Sequence, residues 1–219
     1  MSDCCDGRGC DKKFGSRFAR RTAKRYRRTG LDPTAARMVD FLAVGGLTGA
    51  TVLEIGGGTG QIGIELLRRG ASSVISLELS DAYDAEAMRL AQEAGVAGRI
   101  RRLIVDIAAA PETVQPADLV VLHRVVCCYP DYERLLGAAA DHCRDRLAFS
   151  HPPRNVISRM ITGAENARSA LRREEFRTFV HPPEAMRRVL TERGLRLELI
   201  HRTTAWHTMG LVRAPVSVA

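Results

Sequence analysis

The stretch Thr51–Arg69, TVLEIGGGTGQIGIELLRR, constrains this chain more than any other. Thr51-Val52-Leu53-Glu54-Ile55 is a short β-branched and apolar run of the kind that forms a buried strand. Gly56, Gly57, Gly58 and Gly60 follow at once, and Ile62, Ile64, Leu66 and Leu67 then recur with amphipathic-helix spacing. Strand, glycine turn and helix open a nucleotide-binding α/β unit. Glycine lets the backbone approach a ligand closely, and the helix N-terminus offers N–H groups beside it.

The spacing then divides the possibilities. Gly56, Gly58 and Gly60 give G-x-G-x-G, whereas the dinucleotide fingerprint is G-x-G-x-x-G, and position 61 is Gln61. Gly63 falls two residues past the required place, and no Lys-Ser/Thr pair makes a P-loop. Glu54 at the strand end would repel phosphate but suits a cationic amino-acid ligand. E-x-G-x-G-x-G resembles motif I of the class I S-adenosylmethionine (SAM) methyltransferases. The bland alternative is a glycine-rich turn that binds nothing, and the elements downstream count against it.

At 219 residues the chain fits one domain with ample core material. It has no run of 18 apolar residues, and MSDCCDGRGC lacks the apolar segment of a secretory signal, so a cytoplasmic address with reduced thiols is expected. The net charge of +8 is uneven: residues 1–30 hold ten Lys/Arg and three Asp, or +7, leaving +1 for the rest. Such an arm suits nucleic acid, an anionic surface or an acidic substrate, or it is a solvated helix face. Phe14, Phe18 and Tyr26 recur within it at near-helical spacing, so part of the arm should pack on the domain. The division expected is a basic, Cys-containing arm over 1–30 and the methyltransferase domain over 31–219.

Asp32 or Thr34 can cap a helix that has Pro33 in its first turn and Met38, Phe41 and Leu42 on its apolar face. Downstream, strand and helix patterns alternate. Strands are expected at Ser73–Leu77, Ile100–Val105, Leu119–Leu122, Leu147–Phe149, Leu195–Ile200 and Trp206–Val212. Helices are expected at Asp81–Ala94, Tyr132–Cys143 and Pro183–Arg193, with 151–180 irregular and helical. This pattern implies an α/β fold with a mostly parallel sheet covered on both faces. The resemblance implies a Rossmann-like, seven-stranded sheet with an antiparallel edge hairpin, and N-terminal helices lying across the cofactor mouth.

Ligands of open α/β sheets sit at the carboxyl ends of the strands. Glu54, Glu78 and Asp106 end three successive strands there. A carboxylate at Glu78, with Leu79 beside it, suits a ribose diol. The resemblance places Asp106 on the adenine amino group; Ile107 next to it can pack on the ring, and Tyr26 and His123 are also expected beside the cofactor. Arg25-Tyr26-Arg27-Arg28, the LEIGGGTG loop and Cys127-Cys128-Tyr129-Pro130 distantly resemble the magnesium-protoporphyrin O-methyltransferases. More closely, the chain is similar to small bacterial methyltransferase-like proteins with a Cys-Cys N-terminus and a VVCCYPD segment. The porphyrin enzymes lack that terminus, which counts against a porphyrin acceptor.

Methyl transfer from SAM relies on positioning and needs a base only for a protonated acceptor. His123 and His151 follow strands four and five, where a general base would stand. Each can equally bond backbone or line the cofactor site. Arg124 suits an acidic acceptor, and Tyr129 can flank the methyl group. Cys127 and Cys128 fall at the acceptor side. Cys4, Cys5 and Cys10 crowd the N-terminus, without the C-x2-C spacing of zinc sites. If the arm covers the cofactor mouth, the two cysteine groups together make a thiolate site for a soft ion; otherwise no metal is expected. The leading function is SAM-dependent methylation of a small molecule, with O-methylation favoured. Alternatives are methylation of a thiol or soft metalloid, RNA methylation resting on the basic arm, and a non-catalytic SAM- or metal-responsive binding protein. Against RNA, strand four is followed by His123-Arg124-Val125-Val126 rather than N/D-P-P-Y/F, so a nucleic-acid partner is not expected. Oligomeric state is left open.

Overall fold

A computed structural model describes residues 14–214. Cys4, Cys5 and Cys10 lie outside the described residues. In chain order the elements are helices α1 (Ser16–Thr29) and α2 (Pro33–Leu42), strand β1 (Thr51–Ile55), α3 (Gln61–Arg68), β2 (Ser73–Glu78), α4 (Asp84–Glu93), β3 (Ile100–Ile104), β4 (Ala117–Leu122), α5 (Tyr132–Asp141), β5 (Cys143–His151), α6 (Val156–Leu171), α7 (Pro183–Thr191), β6 (Leu195–Arg202) and β7 (His207–Arg213). The described strands form one seven-stranded sheet in the order β3-β2-β1-β4-β5-β7-β6. Strands β1 to β5 pair in parallel, and β7 runs antiparallel to both β5 and β6. This is the doubly wound architecture with its edge hairpin, and chain reversal between β1 and β4 opens the crevice at their carboxyl ends.

The central strands read as continuous apolar runs because both faces are covered. Leu53, Ile55, Val120, Leu122, Leu147 and Phe149 join Leu136, Met186 and Leu190 in one core beneath α5 and α7. The alternate residues Val52, Leu119, Val121 and Ala148 join Ala23, Tyr26, Met38, Leu42, Ile62 and Ile64 in the other. Helix α1 therefore shares a core with α2 and α3, and Phe14 and Phe18 form edge-to-face contacts with Phe176 and Tyr83 respectively.

Two elements differ from expectation. Strand β5 spans nine residues instead of three, because its first half, Cys143-Arg144-Asp145-Arg146, is charged yet still lies on the ladder beside β4 and β7. Such polar strand starts carry no apolar signal. The stretch after β5 contains the sixteen-residue α6, capped by the Asn155 side chain, with only Ser169 buried. Asn166 bonds both polar backbone groups of Thr178 at 2.8 and 2.9 Å, and the Phe179 amide donates to the Cys127 carbonyl at 2.7 Å. These bonds moor residues 172–180 to the turn after β4. No helix among the described residues is long and apolar enough to cross a membrane.

Helix α2 packs on β7 through the Phe41 ring, which lies 2.7–2.8 Å from where a Cβ on Gly210 would stand. Gly210→Ala forces ring or strand to move, and should destabilise by about 1–3 kcal/mol. A denaturant melt reads this as a lower midpoint at unchanged slope; an unchanged midpoint would mean that α2 yields freely.

Candidate active site

The cleft at the β1/β4 reversal is a cavity of about 440 Å³, within the ordinary range for small-ligand sites. Its walls come from the glycine loop, the ends of β2 and β3, the turn after β4, and helix α1 with Arg21, Thr22, Arg25 and Tyr26. Gly56, Gly58 and Gly60 have φ of 66°, 55° and 76°, a region that side chains rarely enter. A Cβ on Gly56 would also strike Val125, so the loops after β1 and β4 can meet only through glycine. Gln61 stands where the dinucleotide fingerprint has its third glycine. Its side-chain amide donates to the Thr59 hydroxyl at 3.0 Å and to the Thr22 carbonyl at 3.3 Å, tying the loop to α1.

Four carboxylates line this cavity, Glu54, Glu78 and Asp106 at the strand ends and Asp32 at the start of α2. Glu54 shares a sheet face with Val52 and points beneath α3, where the amides of Ile62 and Gly63 face it. It is 4% exposed, and its Oε2 has no hydrogen-bond partner. Burial pushes its pKa up to about 7, against the pull of the Arg102 charge. Glu78 ends β2 and accepts from the Gly58 amide and, at 3.3 Å, from its neighbour Leu79. Burial raises its pKa too. Asp106 follows β3, accepting from the Ala108 amide at 2.9 Å and from the Tyr129 hydroxyl at 2.8 Å. Ile107 beside it is 1% exposed and forms part of the wall. Arg102 on β3 is the cation among these acids, bonded to Asp84 at 2.9 Å and Ser76 at 3.3 Å. Its place in a strand of mixed polarity concealed it in the sequence.

The expected bases stand differently. His151 does not line the cavity: it is 2% exposed at the end of β5, its Nδ1 near the Pro152 carbonyl at 2.8 Å. Burial pushes its pKa down to about 4, and its Nε2 is buried without a hydrogen-bond partner. His123 does line the cavity, but both ring nitrogens are engaged. Nε2 lies 3.3 Å from Asp32 Oδ2 and Nδ1 lies 3.1 Å from the Ser150 hydroxyl. The ionised Asp32 only accepts, so Nε2 carries the proton. The Ser150 oxygen already accepts from the Arg124 amide at 2.9 Å and can give its own proton to Nδ1. His123 is thus a brace between α2 and β5.

Asp32 was legible only as a helix cap, and it is that: Oδ1 accepts from the amides of Thr34 and Ala35 at 3.0 and 3.2 Å. Its other oxygen reaches His123 and, at 3.3 Å, the Arg124 guanidinium. Burial pushes the Asp32 pKa up, but His123, Arg124 and the Ala35 amide outweigh it and hold the carboxyl well below its usual range. Arg124 adopts a φ of 59° and lays its guanidinium 4.8 Å from the Trp206 ring centre. Tyr129 sits on the Asp106 side through its hydroxyl. Tyr26 contributes its ring, since its hydroxyl donates to Glu65 on α3. Cys128 lines the cavity, and the buried Cys127 lies behind it. Among the described residues no cluster of three or more His, Cys, Asp or Glu is arranged for a metal.

These groups fit SAM: an orphaned buried carboxylate for its ammonium, a glycine cradle that a Cβ would fill, acceptor oxygen for its diol, and an apolar wall at Ile107. Residues 52–146 match the methyltransferase domain family. Over 91 residues the chain is 34% identical to the ribosomal protein L11 methyltransferase of Actinobacillus succinogenes, spanning 42% of this chain and 29% of that one. The fold is similar to magnesium protoporphyrin IX methyltransferase from Synechocystis PCC 6803 with bound S-adenosylhomocysteine (SAH), at TM-score 0.67, 23% identity and 83% and 82% coverage of the two chains. It is also similar to an O-methyltransferase family protein from Burkholderia thailandensis, at TM-score 0.69, 18% identity and 95% and 64% coverage. Residues 52–146 are thus similar to the methyltransferase domain family, and the sheet order is the fold of the methyltransferases of known structure.

Proposed function

We propose that this protein transfers the methyl group of SAM to an oxygen of a small-molecule acceptor. The observation that carries the reading is Glu54, a buried carboxylate under a glycine cradle with one oxygen lacking a partner. An ammonium group supplies what that oxygen lacks. When bound, the cofactor brings an electrophilic methyl group on a sulfonium that leaves as a neutral thioether. The chain's own part is then to orient the acceptor and exclude water.

The acceptor end of the cavity is the turn Arg124–Tyr129. With His151 buried away and His123 engaged at both nitrogens, no imidazole is positioned to take a proton. That favours an acceptor already ionised near neutral pH, a carboxylate above all, with Arg124 as its cation. Oxygen as the accepting atom is supported by the fold's likeness to an O-methyltransferase family protein. Of the seven cations of α1, three are engaged at the cavity or by acidic partners, while Arg17, Arg20, Lys24 and Arg28 are exposed. Arg27 is held by Glu93 at 2.7 Å and Glu86 at 3.7 Å, and Arg21 and Arg25 line the cavity.

Calorimetric titration with SAH, followed by transfer of labelled methyl from SAM to a panel of carboxylates and phenols, tests the proposal. Tight SAH binding and a labelled ester or ether are expected; absence of SAH binding would overturn it. Glu78→Ala should weaken SAH by about 1–3 kcal/mol through lost hydrogen bonds, with some loosening of the Gly58 loop. Unchanged affinity would remove Glu78 from the ribose.

Glu54 adds a pH signature. Its folded pKa of about 7 lies above the ordinary 4.5, so its contribution to stability is full below pH 4.5 and is lost as pH rises through 7. The loss is on the order of 3–4 kcal/mol. An ammonium bound beside Glu54 pulls that pKa down, so SAH binding near pH 6.5 should release a proton, and affinity should rise from pH 5.5 to 8. Titrations in buffers of different ionisation enthalpy measure the release. Glu54→Gln should abolish it, and an undiminished release would put the ammonium elsewhere.

A further inference from the structure

The short 3-10 turn Val126–Cys128 follows β4 and sets two adjacent thiols side by side. Adjacent residues in extended chain point to opposite sides. Here the tight turn brings the Cys127 and Cys128 sulfurs within 3.7 Å of each other. Both are directed at one acceptor, the Arg124 carbonyl, at 3.7 and 3.8 Å. Cys127 is 7% exposed and Cys128 lines the cavity. The Cys127 thiol is held below its ordinary pKa, first by the hydrogen bond with Cys128 and further by the Arg124 charge, against the effect of burial.

The separation selects among soft ions. Two thiolates about 2.3 Å from a tetrahedral centre stand about 3.8 Å apart, whereas a linear centre would hold them about 4.6 Å apart. The pair as placed therefore fits a bent S–M–S angle better than a linear one. A four-ligand structural metal would need two further protein donors, and no cluster of three or more donors exists among the described residues. Trivalent arsenic needs three bonds, with its lone pair at the fourth corner of the tetrahedron, and it can bring the third ligand itself.

We propose that Cys127 and Cys128 form a dithiol binding site for a trivalent arsenical in the wall of the cavity. Two S–H groups and two As–OH groups condense to two As–S bonds and two waters, with no change of oxidation state. The arsenic keeps its third substituent, which faces the cavity beside Cys128. This binding does not depend on the methyl-transfer reading.

The test uses the full reduced chain and phenylarsine oxide as probe. Intact mass should show one adduct per chain, with two thiols lost to a thiol reagent. Cys128→Ser should weaken binding at least about 100-fold, since a chelate becomes a single bond. Cys127→Ser, which alters a buried position, should do the same if its melting temperature shows it folded. The triple variant Cys4→Ser, Cys5→Ser, Cys10→Ser should keep full affinity. Loss of the adduct in the triple variant, or full affinity in folded Cys128→Ser, would overturn the proposal. SAH titration of the same sample separates the two readings: an adduct without SAH binding sinks the methyltransferase proposal and leaves this one standing.

Discussion

The burial of Glu54 is the constraint around which the site is built. A carboxylate taken out of water needs donors or a cation, and each nearby element answers that need. The first turn of α3 turns two amides toward it, and Arg102 on β3 provides a counter-charge. Space for the carboxylate comes from glycine. A Cβ on Gly57 would stand 3.0 Å from Glu54 Oε2, and one on Gly63 would stand 2.9 Å from it and 3.0 Å from Val74. The glycines of this stretch therefore do two different things. Gly56, Gly58 and Gly60 allow positive φ, while Gly57 and Gly63 clear room for a buried acid.

The second organising contact is Asp32. One carboxylate caps α2, braces His123 and holds Arg124, so it joins the N-terminal helices to the acceptor turn. The Ser150 hydroxyl closes the same network from β5. Arg124 pays for its place with a left-handed backbone, held by the Ser150 bond to its amide and by the Trp206 face. The acceptor turn is thereby fixed from three elements far apart in sequence.

That distance explains what could and could not be read from the chain. The sheet was legible because strands buried on both faces are uniformly apolar, and their acidic ends stood out against that background. Strand β5 was legible only in its apolar half, since Arg144-Asp145-Arg146 interrupts the apolar run even though Cys143 before it is buried in the core. The glycine loop was legible from spacing, but Asp32 looked complete as a helix cap, and nothing local shows that its second oxygen crosses to β4. His151 looked like a base because it follows a strand; that the β7 hairpin buries it depends on pairing with residues 207–212. Arg102 shows the same limit, being an ordinary strand arginine until the fold sets it beside Glu54 and Glu78.

The resulting cavity has two chemically distinct ends. The β1–β2 end is rich in acceptors and suits a cation and hydroxyls. The β4 end holds a cation and two soft sulfurs. An electrophile held at the first end needs a partner at the second that arrives with its electron pair ready. A carboxylate beside Arg124 meets that need through charge, and a soft centre on the two thiols meets it through polarisability. Both use the same turn, so under the proposed function Arg124–Tyr129 would select the acceptor while the cradle around Glu54 stays the same.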